Sequence, residues 1–272
     1  MSMQQRMSFA QGITMLDSLF IGAVGMAAQQ AFIDSTANNL VKLSTPGFKK
    51  NRVSFKDMVY HGIERSDALT ASDVTQLTGT GSSALLLGKM FSQGKLDRTG
   101  IPNDVAINGE GMVELVLPDG TNAYTRNISL QISRDGLLST ADGYPLQQQI
   151  SLPPDAGSMQ IDRTGRVTVE VPNERNPVEV GQIELVRFVN PAGLTSLGDN
   201  LYGLTDKAGD PISGKAGESG FGVFMQGYTE ASNVQLVEEM LSLTMAQRAY
   251  EASAKVVQAS DEMLGIVNSL RR

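Results

Sequence analysis

The feature that most constrains this chain of 272 residues is an apolar row along its C-terminal end. From Met245 onward the row advances by alternating steps of four and three residues, so its members share one face of a helix. The row contains Met245, Ala249, Ala252, Val256, Ala259, Met263, Ile266 and Leu270. It predicts a helix over residues 230–270, with Ser232 or Asn233 as the N-cap.

A second row with the same spacing lies near the N-terminus and includes one polar residue, Gln30. It predicts a helix over residues 15–43. The helix is expected to end there because Pro46 restricts the backbone conformation of the residue before it and Gly47 follows at once. The apolar members of this row are Leu16, Leu19, Ala23, Met26, Ile33, Ala37 and Leu40.

Both predicted helices carry an apolar surface that is too broad for either helix to cover alone. One interpretation is that each helix packs in the ordinary way against a sheet of its own. The many alanines in the rows favour close approach of two helices instead. Because the helices are also long, terminal and matched in period, we predict that they pair with each other in a coiled-coil-like α domain.

The middle of the chain carries alternating apolar and polar residues that are typical of short strands. The clearest runs are Ile128, Leu130 and Ile132, and Val167, Val169 and Val171. Asp-Gly pairs at 119–120, 135–136 and 142–143 predict tight turns between strands. We therefore predict an α+β fold whose central domain is irregular and all-β.

The predicted parts of the chain are an N-terminal extension (1–14), the first helix and its turn (15–60), a long loop or extended arm (61–100), the β domain (101–224) and the C-terminal helix (225–272).

The composition excludes several classes of function. Lys and Arg total 22 and Asp and Glu total 29, and the net charge of −7 repels phosphate backbones, so no nucleic-acid partner is expected. The chain has no cysteine and one histidine, His61, which excludes thiolate and two-histidine metal sites. No apolar run approaches the roughly 20 residues that span a bilayer, so direct membrane insertion is not expected.

Motifs for catalysis or cofactor binding are weak. Residues 79–84 fit a dinucleotide-binding pattern in letters alone, without the required strand before and helix after. The glycines of 81–89 are too far apart for a phosphate-binding loop. Acidic residues fall mainly in turns, where Asp bonds the local backbone, and the chain has no Trp for a sugar-binding cleft. We expect no enzymatic activity and no catalytic, cofactor-binding or metal site.

The most specific motifs lie beside the two helices. The N-terminal motif contains Asn38, Asn39, Leu40, Thr45, Pro46, Gly47, Phe48 and Lys49, and the C-terminal motif covers residues 227–234 and 245–251. Pro46 and Gly47 turn the chain, and Phe48 is expected to anchor the segment that follows. Asn38 and Asn39 are poor helix formers inside the periodic region, and a simple helix end does not explain them.

In these two motifs the chain resembles the axial family of bacterial flagella, which comprises rod, hook and hook-associated proteins. The N-terminal signature of that family reads A-N-N-L-A-N-x-x-T-x-G-F-K, and Val41 and Lys42 replace its second Ala-Asn here. Segments at 93–96, 103–107, 118–126 and 198–202 are similar to those of distal rod subunits. The resemblance covers nearly the whole chain from Met15 onward.

The resemblance implies a structural subunit of the basal-body distal rod that assembles into a helical tube and transmits motor torque to the hook and filament. It implies as partners further copies of the chain, other rod proteins, the hook protein, the surrounding rings and the flagellar type III export apparatus. It also implies export without a cleaved signal peptide and a place in the periplasm-spanning rod. The two apolar rows would then form the polymer interface.

Several alternatives are compatible with the sequence. Residues 1–14 have no counterpart in the family pattern, so either Met15 is the true start or these residues are an added export or docking segment. Within the family, the chain would otherwise be a proximal rod or hook subunit. Outside the family, a secreted carbohydrate-binding module or enzyme would be a stable monomer with protected termini.

Overall fold

The computed structural model describes residues 3–61, 77–172 and 176–269, and describes side chains at 19–56, 88–172, 176–267 and 269. The side chains of Leu16, His61 and Leu270 lie outside the described part. The described residues form an α+β fold, with a long helix toward each end and a β-rich region between them. The predicted fold class is confirmed at this level.

Helix α1 spans Met3–Val41 and therefore begins well before the predicted residue 15. It ends close to the predicted position, because two tight turns follow it. In these turns the Leu43 N–H donates to the Leu40 carbonyl at 3.2 Å, and the Thr45 N–H donates to the Lys42 carbonyl at 3.1 Å.

Helix α2 spans Leu236–Ser269 and carries Glu238 and Glu239 in its first turn, where the helix dipole favours anions. The prediction that Ser232 or Asn233 caps this helix is wrong, because α2 begins further along the chain and the Asn233 side chain bonds to other segments. Over the described residues, neither helix has an apolar stretch long enough to cross a membrane.

The described strands are short except for the first two. They are β1 (Asn51–His61), β2 (Leu77–Lys89), β3 (Leu96–Arg98), β4 (Asp104–Asn108), β5 (Val113–Val116), β6 (Asn122–Thr125), β7 (Ile128–Ile132), β8 (Leu138–Thr140), β9 (Met159–Ile161), β10 (Arg166–Val169), β11 (Val178–Gln182), β12 (Leu185–Arg187), β13 (Thr195–Gly198), β14 (Leu201–Gly203), β15 (Ile212–Gly214), β16 (Val223–Gln226) and β17 (Tyr228–Glu230). A short 3-10 helix spans Pro191–Gly193.

The strands form small sheets in which each described register is antiparallel. The larger sheets have the orders β13-β14-β6-β5, β16-β4-β7-β8 and β11-β10-β9, and the pairs are β1-β2, β12-β15 and β17-β3. The predicted Asp-Gly turns are present. In them the Gly120, Gly136 and Gly143 N–H groups each donate to the carbonyl three residues earlier at 2.9 Å.

The structure refines one prediction about the β region and corrects another. The segment 61–100, expected to be a long loop or extended arm, contains the strands β2 and β3, because backbone pairing with β1 and β17 outweighs the high Gly and Ser content. Strand alternation predicts that Ile132 faces the core with Ile128 and Leu130, but its side chain is 54% exposed at the end of β7.

The chain divides into two compact units. The second unit comprises Asn39–Asn51 and Gly88–Leu236. Its main core is built largely by alternating residues of β4, β5, β7 and β10, and a second cluster is rich in aromatic rings. In that cluster Tyr124 packs edge-on against Phe188 at 4.8 Å between ring centroids, and Phe91 packs against Tyr202 at 4.9 Å.

The first unit comprises Met1–Asn38, Arg52–Leu87 and Val237–Arg272. In it, Gly22 and Gly25 of helix α1 lie against Val257 and Ser253 of helix α2. A Cβ built on Gly22 would lie 2.6 Å from Val257 Cγ2, and one built on Gly25 would lie 3.4 Å from Ser253 Oγ. Because the contact moves forward along α1 and backward along α2, the helices run antiparallel at this point.

Candidate functional site

Three charged side chains from distant parts of the sequence are buried together in the second unit. Glu230 Oε1 lies 2.6 Å from Lys49 Nζ, and Glu230 Oε2 lies 2.7 Å from Arg126 Nε. The side chains of Lys49 and Glu230 are 0% exposed and that of Arg126 is 4% exposed. We call these residues the ion triad. It joins the end of the N-terminal motif, the residue after β6 and the end of β17.

Backbone groups satisfy the other polar atoms of the ion triad. Lys49 Nζ donates to the Ser92 carbonyl at 2.7 Å, and the Gly94 N–H donates to Glu230 Oε1 at 2.7 Å. The Arg126 guanidinium donates at 2.9 to 3.2 Å to the carbonyls of Ile107, Gly109 and Gly111. A buried charge is tolerated when it is both paired and hydrogen-bonded, and each member of the triad meets that condition.

The pKa values of Glu230 and Lys49 reflect the pairing of one carboxylate with two cations. Burial opposes ionisation of Glu230, but the charges of Arg126 and Lys49 and the hydrogen bonds outweigh it and hold its pKa below the ordinary value. Burial lowers the pKa of Lys49 to about 8, because repulsion from Arg126 offsets part of the attraction of Glu230. Glu230 and Lys49 are therefore both charged at neutral pH.

Asn233 joins three segments of the second unit through its side-chain amide. Its Oδ1 accepts from the Lys50 N–H at 2.8 Å, and its Nδ2 donates to the Met90 carbonyl at 2.7 Å and to Ser92 Oγ at 3.0 Å. An amide is suited to this because it combines an acceptor with two donors. The segments it joins lie next to points where the chain passes between units, at 51/52, 87/88 and 236/237.

The bend at Pro46 and Gly47 is held from two sides. Asn200 Nδ2 donates to the Pro46 carbonyl at 2.9 Å, and the Gly47 N–H donates to the Glu230 carbonyl at 2.7 Å. Gly47 has a φ of +70°, and a Cβ at this position would lie 2.9 Å from Asn127 Cβ. Glycine is thus required here by both conformation and space.

The rest of the N-terminal motif separates into buried and exposed residues. Asn39 is buried and closes a two-way bridge to Asn51, accepting from its N–H at 2.9 Å and donating to its carbonyl at 3.2 Å. This bridge explains a polar residue inside the helical pattern, whereas Asn38 is exposed. Phe48 is buried, and Lys89 Nζ lies 4.5 Å from its ring centroid.

Helix α2 leaves most of its predicted apolar row in solvent. The exposed fractions are 64% for Met245, 50% for Val256, 44% for Met263 and 60% for Ile266. Ala252 and Ala259 are exposed too, and Ala249 is half-buried. The residues that α2 buries are small or polar, and two of them, Ala246 and Ser260, lie one position after members of the row.

Helix α1 shows a similar displacement between its predicted row and its buried residues. Ala23 is exposed, and the other described members, Leu19, Met26, Ile33, Ala37 and Leu40, are half-buried. The residues that α1 buries are again small or polar, namely Gly22, Ala28, Ser35, Thr36 and Asn39. Within one subunit, the helices therefore do not use their most apolar rows as the buried face.

Comparison with known proteins places these features in a family. The model described as the flagellar hook protein FlgE/F/G D1 domain matches residues 106–169, and that of the flagellar basal body rod FlgEFG protein C-terminal matches 225–270. The flagellar basal-body rod protein FlgG of Buchnera aphidicola subsp. Schizaphis graminum is 40% identical over 260 residues, which cover 94% of this chain and 100% of the relative. The FlgG of Borreliella burgdorferi is 40% identical over 264 residues, which cover 95% of this chain and 100% of that relative. The chain belongs to the FlgG family of flagellar basal-body rod proteins.

A more distant relative also aligns along nearly the whole chain. The flagellar hook-basal body complex protein FlhP of Bacillus subtilis is 26% identical over 274 residues, covering 94% of this chain and 100% of the relative. As a FlgG family member, the chain is a structural subunit of the basal-body rod. The comparisons do not favour the secreted enzyme or carbohydrate-binding module. The C-terminal FlgEFG region contains Glu230, Asn233 and the whole α2 row, and the D1 region contains Arg126.

Sequence reasoning did not single out Arg126, Glu230 or Asn200. Each occurs in a segment that resembles the family, but a resemblance does not say which residues meet. Arg126 and Glu230 are single charged residues within short apolar or uncharged runs, and that isolation is the signal that could have identified them.

Proposed function

We propose that the chain is a distal rod subunit that polymerises through the exposed apolar row of α2 and the matching row of α1. The predicted interface residues on α2 are Met245, Ala249, Ala252, Val256, Ala259, Met263, Ile266 and Leu270. Those on α1 are Leu16, Leu19, Ala23, Met26, Ile33, Ala37 and Leu40. Further copies of the chain would cover both rows in a coiled-coil-like layer of helices.

The observation that carries this proposal is the exposure of large apolar side chains along one face of α2. Val237, Leu241, Met245, Val256 and Ile266 are each at least half exposed. Monomeric proteins rarely leave so long an apolar stripe in water, and such stripes mark protein–protein interfaces. The small and polar residues that the helices bury leave this stripe available for other subunits.

A rod requires contacts that propagate. When one surface of a subunit binds a different surface of the next copy, the contact generates a helical polymer unless the rotation closes a ring. The α1 and α2 rows are different surfaces, which suits such an open assembly. The resulting tube would carry torque from the motor to the hook and filament.

The ion triad and Asn233 would serve that mechanical role within the second unit. They tie together, by buried charges and by one amide, the segments through which the chain enters and leaves that unit. The strands of the 61–100 arm would brace neighbouring copies. The further partners proposed are other rod proteins, the hook protein, the surrounding rings and the type III export apparatus, with assembly in the periplasm after export without signal cleavage.

The experiment that tests the proposal places two charges in the α2 row. Ala252→Asp with Val256→Asp is expected to leave the second unit folded and to abolish polymerisation, measured by sedimentation and negative-stain microscopy of concentrated protein. Gln247→Asp with Gln258→Asp is the matched control, because it changes the net charge equally at exposed polar positions of the same helix. Normal polymers from the Ala252/Val256 variant would show the interface assignment to be wrong.

A further inference from the structure

The second unit carries a cleft that the proposed helical interface does not use. It has a volume of about 310 Å³, and its lining includes residues of β12 and of the 3-10 helix that follows. The apolar part of the lining is Phe91, Met112, Val186, Phe188, Val189 and Pro191. Val189 is 80% exposed, so the folded unit leaves a large apolar side chain in water at this cleft. A concave apolar surface of this size accommodates a ligand or a side chain of a partner.

Besides Arg126 of the ion triad, two opposite charges belong to the lining of the same cleft. Arg187 Nη1 lies 3.6 Å from Glu110 Oε2, with side chains 35% and 75% exposed. A long and largely exposed ion pair contributes little to stability, so replacing it by pairs with another copy costs little. The guanidinium of Arg187 also lies 5.4 Å from the Phe221 ring centroid, which restricts its position.

The β7–β8 hairpin has complementary features at its tip. Ile132 is 54% exposed, although strand alternation assigns it to the core. The turn after it is closed by the Gly136 N–H donating to the Ser133 carbonyl at 2.9 Å, and it presents Arg134 and Asp135. Both side chains are exposed, and neither forms an ion pair with another described residue. The tip therefore offers one apolar side chain followed by charges of both signs.

We propose that the hairpin tip of one copy docks in the cleft of a second copy. Ile132 would enter the apolar cleft, Asp135 would pair with Arg187, and Arg134 would pair with Glu110. This inference rests on the proposed self-assembly, and adds to it a contact between second units. Because the cleft and the hairpin are different surfaces, the contact runs head to tail and can propagate along a polymer.

Other exposed apolar residues of the second unit fit this role less well. Leu204 is exposed and is also followed by two opposite charges, but its loop lies beside the cleft. Asn190, which stands in the sequence between two residues of the lining, donates from Nδ2 to the Lys207 carbonyl of that loop at 2.9 Å. Ile212 adjoins the cleft too, as the β-sheet partner of Arg187. A residue beside the cleft cannot serve as its head-to-tail occupant.

Disulfide trapping tests the contact directly, because the chain has no cysteine of its own. Full-length Ile132→Cys protein is mixed with Val189→Cys protein, assembled and oxidised. We expect a disulfide-linked dimer containing one of each chain. A disulfide requires the two Cα atoms to lie within roughly 7 Å of each other, and the proposed docking places Ile132 of one copy beside Val189 of the other. Ile101→Cys, at another exposed apolar position, replaces Ile132→Cys in the control mixture and is expected to give no such dimer.

A charge exchange tests the pairing independently of any cross-link. Glu110→Arg and Arg134→Glu each bring like charges together and should raise the critical concentration of assembly at least about tenfold, whereas the double variant should recover to within about threefold. Both positions are exposed, and unchanged thermal unfolding of the variants checks that they fold.

The outcomes separate the two levels of the proposal. Polymers that form normally, without the Ile132–Val189 cross-link and without recovery in the double variant, would overturn the docking contact and leave the helical interface standing. Failure of the unmodified chain to polymerise under any condition would overturn both.

Discussion

Gly22 of α1 faces Val257 of α2 so closely that a Cβ on Gly22 would lie 2.6 Å from Val257 Cγ2. Valine in a helix is nearly confined to one rotamer, so Val257 cannot easily turn away. We predict that Gly22→Ala lowers the free energy of unfolding by about 1–3 kcal/mol, the usual penalty of overpacking. Urea unfolding followed by circular dichroism measures the change.

A second glycine, Gly265 in α2, provides the control for Gly22. A Cβ added to Gly265 would meet no heavy atom within 4 Å among the described residues outside its own helix. Gly265→Ala should therefore stabilise the helix by about 0.5–1 kcal/mol, the difference in helix propensity. Stabilisation by both substitutions would show that the helices do not depend on close approach at Gly22.

The ion triad makes a prediction about stability. Glu230→Gln removes the shared counter-charge of Lys49 and Arg126 and leaves two cations buried together. Breaking a buried ion pair in this way typically destabilises by about 3–5 kcal/mol. The same substitution at Glu179, whose carboxylate lies 3.9 Å from Arg166 Nη1 in an exposed pair, should change stability by less than about 0.5 kcal/mol. Equal urea midpoints for the two variants would contradict the role assigned to Glu230.

The pKa of Lys49 predicts an unusual dependence on alkaline pH. Burial lowers this pKa to about 8 in the folded chain, against an ordinary value of 10.5. Between these values the unfolded chain binds more protons than the folded chain, so this residue makes the free energy of unfolding rise with pH. We predict that the unmodified chain gains stability relative to Lys49→Met as pH increases through this window. The measurement is urea unfolding of both proteins at several pH values. A difference in the free energy of unfolding that stays constant with pH would refute the prediction.

Asn233 makes a prediction about the links between segments. Asn233→Ala leaves the Lys50 N–H without the Asn233 acceptor and the Met90 carbonyl without its amide donor. We expect a loss of about 1–3 kcal/mol. Asn233→Asp keeps the acceptor but loses both donors and should not restore stability. Asn122→Ala, which removes an exposed bond of 2.9 Å to Glu114, is the control and should be nearly neutral. Matching losses at Asn233 and Asn122 would argue against a special role.

The sequence identified the helices and most turns because their signals are local. Alternating steps of three and four residues predicted both long helices, and Asp-Gly pairs predicted turns that the structure contains. For strand β2 the sequence left a loop and an extended arm open, because its Gly and Ser residues resemble a loop, whereas pairing with β1 decides its conformation. Tertiary context overrides local propensity in such segments.

The functional residues were harder to predict because they depend on distant contacts. Lys49 and Glu230 are separated by 181 residues, and no spacing rule connects them. The buried face of each helix was also not predictable from apolarity, because the fully buried residues are small or polar. Periodicity shows which row is apolar, but it does not show whether that row faces the same subunit or another copy.

The most direct test of the account is an electron cryomicroscopy reconstruction of the polymer at side-chain resolution. The account predicts that Met245, Val256 and Ile266, exposed in the single subunit, lie against neighbouring copies. A polymer in which these three side chains still face solvent, with its contacts made elsewhere, would contradict the central claim.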